Sequence, residues 1–154
     1  MKRIASFEVN HDLLDRGIYT SRIDGDAVTY DVRMKKPNNG DYLSTGEMHT
    51  IEHLFATYVR NSRYSDSILY VGPMGCRTGF YILIRDNVSP AEAIELIKQS
   101  FSFIAGFEGT IPGSTRMECG NYLDHDLPAA KKTAEEMLSV IKDWTPDMLV
   151  YKNN

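Results

Sequence analysis

The run His49-Thr50-Ile51-Glu52-His53 carries two imidazoles four residues apart with a carboxylate between them, a set suited to a single bound metal ion. On a helix, four residues turn the chain through about 400°, so His49 and His53 share one face and can reach the same cation. Glu52 falls about 60° to the other side of His49, so it borders that cation without having to ligate it. The order H-x-x-E-H is the reverse of H-E-x-x-H and is also the signature of inverted zinc peptidases. The bland alternative is a pair of solvated or core-satisfied helical histidines. The motif alone points to a metal and leaves the reaction open.

A metal site that does chemistry needs about three protein ligands and an open position, so the motif needs a partner from elsewhere in the chain. The remaining candidates are His11, His125, Cys76, Cys119 and Glu118, the last mimicking the distant Glu of inverted zinc peptidases. Cys119 is expected where a strand ends at Gly120, from which a side chain can reach a neighbouring helix; its other reading is a small buried apolar residue. Cys76 stands in a loop between Gly75 and Gly79. It is either a packing residue or a thiol made reactive by a nearby cation that stabilises its thiolate.

The local sequence places the motif on a helix. Ser44-Thr45-Gly46-Glu47 reads as a capping box, and helix formers continue through Leu54, Phe55, Ala56 and Tyr58. Met48, Ile51, Leu54, Phe55 and Tyr58 occupy the arc opposite the histidines, so one face meets a core and the other is free for chemistry. Upstream, 17–23 and 27–34 read as a strand hairpin around Asp24-Gly25-Asp26, with Val28, Tyr30 and Val32 alternating against Thr29, Asp31 and Arg33. Downstream, 67–71 and 79–85 read as strands around the Cys76 loop. Ser89-Pro90-Ala91-Glu92 starts a second helix running to about Phe107, with Ile94, Ile97, Phe101 and Ile104 as its buried stripe. A short strand over 114–118 and a last helix over 127–144 complete the order β-β-α-β-β-α-β-α. This predicts an α+β fold, a mainly antiparallel sheet with helices packed over it, as one domain over 1–154.

A chain of 154 residues can bury roughly 70% of its unfolded surface without staples. A net charge of −4 with interspersed signs gives no basic stripe for nucleic acid. No apolar run of about 18 residues and no signal-peptide core are found, so no membrane partner and a cytoplasmic location are expected. There, two cysteines favour a ligand and a reactive thiol over a Cys76–Cys119 bridge.

With these residues assembled, the chain resembles the S-ribosylhomocysteine lyases, which make the precursor of the bacterial signal autoinducer-2. The resemblance rests on separated motifs in order: Ser6-Phe7 and His11, Tyr30-Asp31-Val32-Arg33, His49 to His53, Pro73-Met74-Gly75-Cys76-Arg77-Thr78-Gly79-Phe80-Tyr81, Glu118-Cys119-Gly120, and His125-Asp126-Leu127. It implies a metal on His49, His53 and Cys119, with Glu52 and Cys76 as the acid/base pair. Fe2+ is implied as the native ion, with Zn2+ or Co2+ able to replace it. It also implies a homodimer with active sites at the interface, where Ser6, His11 and Arg33 serve the substrate, Arg33 as an anchor for a carboxylate or hydroxyl. Gly72 stands where many members have Ser, and Tyr70 where Asp is common.

The implied reaction moves a carbonyl from C1 of the ribose to C2 and C3 through successive enediolates. A proton then leaves C4 and the thiolate departs from C5, giving L-homocysteine and 4,5-dihydroxy-2,3-pentanedione. Two rivals remain: an inverted zinc peptidase with Glu118 as third ligand, and a non-enzymatic module with a closed structural metal site.

Overall fold

The computed structural model describes residues 1–152; Asn153 and Asn154, the end of the expected 1–154 domain, lie outside the described residues. Four strands form one antiparallel sheet: β1 (Gly17–Asp24), β2 (Ala27–Arg33), β3 (Ile68–Pro73) and β4 (Gly79–Arg85), in the spatial order β1-β2-β4-β3. The β1–β2 hairpin pairs Ile18 with Val32 and Asp24 with Ala27, while β4 sets Tyr81 opposite Asp31 and Gly79 opposite Arg33. Because side chains alternate along a strand, Val28, Tyr30 and Val32 of β2 join Phe80, Ile82 and Ile84 of β4 in one buried apolar cluster.

Three helices complete that core: α1 (Thr45–Arg60), α2 (Pro90–Ala105) and α3 (Leu127–Ile141). Both predicted capping boxes form. Ser44 accepts from the Glu47 amide while Glu47 reaches back to the Ser44 amide, and Ser89 and Glu92 do the same at the start of α2. Each satisfies two amides that a helix start otherwise leaves orphaned. Ile51, Leu54 and Phe55 of α1 are buried, with the Phe55 ring 5.4 Å from Phe101 of α2 and 6.3 Å from Phe80 of β4. Burying each such side chain stabilises the fold by about 1.5–3 kcal/mol, and together they fix α1 with its histidine arc turned out of the core. Glu47 also accepts from Thr133 Oγ1 at 2.6 Å, which ties α1 to α3.

The other face of the sheet is covered at the end that holds Asp31 and Arg33. Asp31 and Arg33 form a buried ion pair, with Arg33 only 3% exposed. The C-terminal segment closes over them: Tyr151 donates to Asp31 Oδ2 at 2.6 Å and stacks on Tyr19, and Trp144 Nε1 donates to the Ile18 carbonyl. Burial first, and then the Asp31 charge, push the Tyr151 phenol above its usual range, so it remains a donor.

Two expected elements differ. No strand forms over 114–118; the amides of Glu118 and Cys119 both bond the Thr115 carbonyl in a local turn, and Thr115 in turn donates to the Glu118 carboxylate. Those groups are therefore not available to a ladder. The element order is β-β-α-β-β-α-α with short 3-10 turns, and Cys119 is delivered by a turn instead of a strand end. The last helix stops at Ile141, three residues before Trp144, which turns back onto β1.

Candidate metal centre

Helix α1 presents His49 and His53 with ring centroids 4.6 Å apart, and the loop between α2 and α3 folds over them. That loop binds each ring from behind. His49 Nδ1 is 2.8 Å from the Asp124 carbonyl and His53 Nδ1 is 2.8 Å from the Pro112 carbonyl. A carbonyl can only accept, so both rings are Nδ1–H tautomers with a free Nε2 lone pair turned away from the loop. Gly113 makes the second contact possible: its φ is +71, and a Cβ there would press on His53 Nδ1 at 3.2 Å, so a larger residue would push the ring from its carbonyl.

Cys119 Sγ lies 3.3 Å from His49 Nε2. A tetrahedral zinc-type ion bound to one sulfur and one nitrogen separates them by about 3.6 Å, so this edge fits a shared cation. The Asn121 amide points at the same sulfur at 3.5 Å. The ligand atoms of His49, His53, Cys119 and His125 all lie within 4.8 Å of one another, and imidazole with thiolate is a donor set of the kind zinc takes. The donor set therefore fits a transition-metal ion. Glu118, the alternative third ligand, is turned away and held by Thr115.

His125, one of the candidate ligands that the sequence left open, joins the group. It sits one residue before Asp126, whose side chain caps α3 by accepting from the Ala129 amide and whose own amide donates to Gly46 O and Thr50 Oγ1 on α1. That docking stacks the His125 ring on His49, centroids 4.0 Å apart. Burial first, and then the neighbouring His49 and His53, pull its pKa below the usual histidine range. The Asp126-Leu127-Pro128 helix start was the one local signal, and it locates the helix rather than the imidazole.

Glu52 is half-buried on α1 between the two histidines, and no described protein donor is bonded to its carboxylate. Cys76, after β3, is exposed and lies 3.1 Å from Thr78 Oγ1 and 3.9 Å from Arg33 Nη1. Arg33 divides its donors among Asp31, Thr78 and this sulfur, so the cation beside Cys76 is a guanidinium. A cavity of about 410 Å³ holds Cys76, His11, Asn38, Tyr42 and Thr78, and none of His49, Glu52, His53 or Cys119 lines it. His11 Nδ1 bonds the Val9 carbonyl at 2.9 Å, which again leaves Nε2 free. Ser6 lies half-buried in the 3-10 turn Ala5–Phe7. Another cavity, of about 640 Å³ between α1 and α2 around Tyr58, Tyr64 and Glu92, contains none of these groups. Both cysteines are free, and no described helix is long and apolar enough to cross a membrane.

Comparison with known proteins gives a concordant result. The profile of the S-ribosylhomocysteinase (LuxS) family matches residues 4–148. The chain is 48% identical to the S-ribosylhomocysteine lyase of Phocaeicola vulgatus over 157 residues, covering 98% of each chain. It is 46% identical to that of Clostridium beijerinckii over 159 residues, covering 99% of this chain and 100% of the relative. The Porphyromonas gingivalis lyase is 48% identical over 148 residues, 93% of each.

Proposed function

This chain belongs to the S-ribosylhomocysteinase (LuxS) family, and on that footing we propose that it is a metal-dependent carbon–sulfur lyase that cleaves S-ribosyl-L-homocysteine to L-homocysteine and 4,5-dihydroxy-2,3-pentanedione. The observation that carries the reading is the juxtaposition of His49, His53 and Cys119 with Glu52 beside them on the same helix. Nε2 of each histidine and Sγ of Cys119 would hold the ion, Fe2+ as resident with Zn2+ or Co2+ able to take the same donors. When bound, such an ion supplies Lewis acidity at the sugar carbonyl, worth several kcal/mol.

The chain's own groups move the protons. Glu52, free of internal donors, takes and returns protons at the sugar carbons facing the cluster. Cys76 Sγ serves carbons beyond its reach, with Arg33 Nη1 stabilising negative charge on the sulfur and Thr78 orienting it. Arg33 thus acts as a positioning residue through Cys76, and Ser6 and His11 hold the substrate's polar ends. Each proton-transfer group contributes about 10²- to 10⁴-fold in rate.

Two groups of residues that must meet one substrate line separate regions of this chain, and this supports a homodimer in which each site joins the cluster of one copy to the Cys76 cavity of the other. Apolar side chains flank both regions: Phe7, 63% exposed, beside Ser6, and Leu123, 78% exposed, near Cys119. A reducing, cytoplasmic location fits two thiols that both have work as thiolates. The peptidase reading is disfavoured because Glu118 is engaged elsewhere and Cys76 would have no task. The test is incubation of anaerobically purified protein with S-ribosylhomocysteine, in which free thiol should appear in proportion to substrate consumed. If iron-, zinc- and cobalt-loaded protein all release none, the lyase reading fails.

A further inference from the structure

His125 differs from the other two imidazoles of the centre in what holds it. Carbonyls fix His49 and His53 as Nδ1–H tautomers, whereas His125 Nδ1 faces the Thr50 hydroxyl at 3.0 Å, and a hydroxyl can donate or accept. Thr50 decides the direction. It is fully buried, and its Oγ1 already accepts the Asp126 amide at 3.0 Å. Among the described residues, the acceptor within reach of its own O–H is His125 Nδ1. A buried hydroxyl proton without a partner is costly, so Thr50 donates, Nδ1 accepts, and the neutral ring carries its proton on Nε2.

That Nε2 is buried and, among the described residues, has no hydrogen-bond partner. An orphaned buried donor inside a cluster of candidate metal ligands needs a function. From this geometry we infer that His125 is a hydrogen-bond donor of the centre: its Nε2–H faces the position that His49, His53 and Cys119 leave open and binds a sugar oxygen as negative charge develops there. A fourth ligand would instead need a bare Nε2, which places the proton on Nδ1 and strands the Thr50 hydroxyl. A fourth protein ligand would also close the site in the manner of a structural centre. The Thr50 hydroxyl is thereby a positioning group, since it selects the tautomer.

This inference rests on the lyase reading, and its tests separate the two. In zinc-loaded protein labelled with ¹⁵N-histidine at about pH 8, where imidazole is neutral, His125 should carry its proton on Nε2. His49 and His53 should carry theirs on Nδ1. A His125 with Nδ1 protonated and Nε2 on zinc would overturn the inference while leaving the metal centre intact. The second test uses Co2+-loaded protein in a Cys76→Ala background, so that S-ribosylhomocysteine binds without turning over and is followed in the cobalt spectrum. His125→Phe keeps a ring against His49 but has no donor. Its cobalt affinity, read by chelator competition, should stay within about threefold, while the dissociation constant for S-ribosylhomocysteine rises about tenfold or more, as for a lost hydrogen bond to a charging acceptor. Thr50→Val should show a smaller rise and a mixed tautomer. A fall in cobalt affinity of about 100-fold or more would make His125 a ligand, and unchanged substrate affinity would leave the donor without a role. Protein that takes up neither ion would sink the metal-dependent reading and this inference with it.

Discussion

At the scale of single residues, the chemistry depends on which charge stands beside which nucleophile. Cys76 is exposed in a loop, yet its sulfur is held by Thr78 Oγ1 and faced by Arg33 Nη1. Arg33 cannot move toward solvent, because its other donors are fixed on a buried Asp31 that Tyr151 also holds. Cys76→Ser keeps the shape but offers a hydroxyl that does not ionise near neutral pH. Homocysteine release should fall by at least about 10²-fold, with metal content unchanged. Arg33→Met removes the charge while keeping much of the volume. Alkylation of Cys76 by iodoacetamide at neutral pH should then slow several-fold, because the guanidinium that faces its sulfur at 3.9 Å is gone. Equal alkylation rates in both proteins would leave Arg33 as a purely structural partner of Asp31. Glu52→Gln should retain the metal and lose most turnover; loss of the metal instead would make Glu52 a ligand.

At the scale of elements, α1 could be read from the sequence because several local signals agree on it: the Ser44–Glu47 box, the apolar arc and the i,i+4 histidines. The segment 112–126 could not, because no periodicity governs it. Its Ser, Thr and Glu side chains bond the nearby backbone, and what places Cys119 and His125 is docking of Asp124 and Asp126 onto α1, a contact made across more than seventy residues. The burial of Arg33 was equally hidden, since a strand alternation cannot reveal that a C-terminal tyrosine covers its polar face. Gly72 and Tyr70 form one packing unit on the edge strand β3: a Cβ built on Gly72 would overlap the Tyr70 ring and hydroxyl, so the aromatic ring lies over the bare glycine. Gly72→Ser alone should therefore lower stability by about 1 kcal/mol in urea titrations, and in a Tyr70→Asp background by clearly less. Equal costs in the two backgrounds would show that the two positions are independent.

At the scale of the whole molecule, Glu52 and Cys76 have to meet on one substrate if both are to move its protons. Cys76 and His11 line one cavity, whereas Glu52 rides on α1 with His49 and His53. In a two-fold dimer, whatever the first copy lends to the second it also receives. A site assembled across the interface then takes Glu52 from one copy and Cys76 from the other. Chains carrying Glu52→Gln or Cys76→Ala should each be nearly inactive alone. After mixing and subunit exchange, half of the dimers are mixed, and each mixed dimer holds one doubly altered site and one with both native groups, so activity should recover to about a quarter of the unaltered protein. His11→Ala mixed with Cys76→Ala serves as the control, because both lie in the same half and no intact site can form. Recovery in the control but not in the first mixture would reverse the assignment of halves. No recovery in either, with exchange verified by mass-tagged subunits, would place the complete site within one chain and require the Cys76 loop to close on α1.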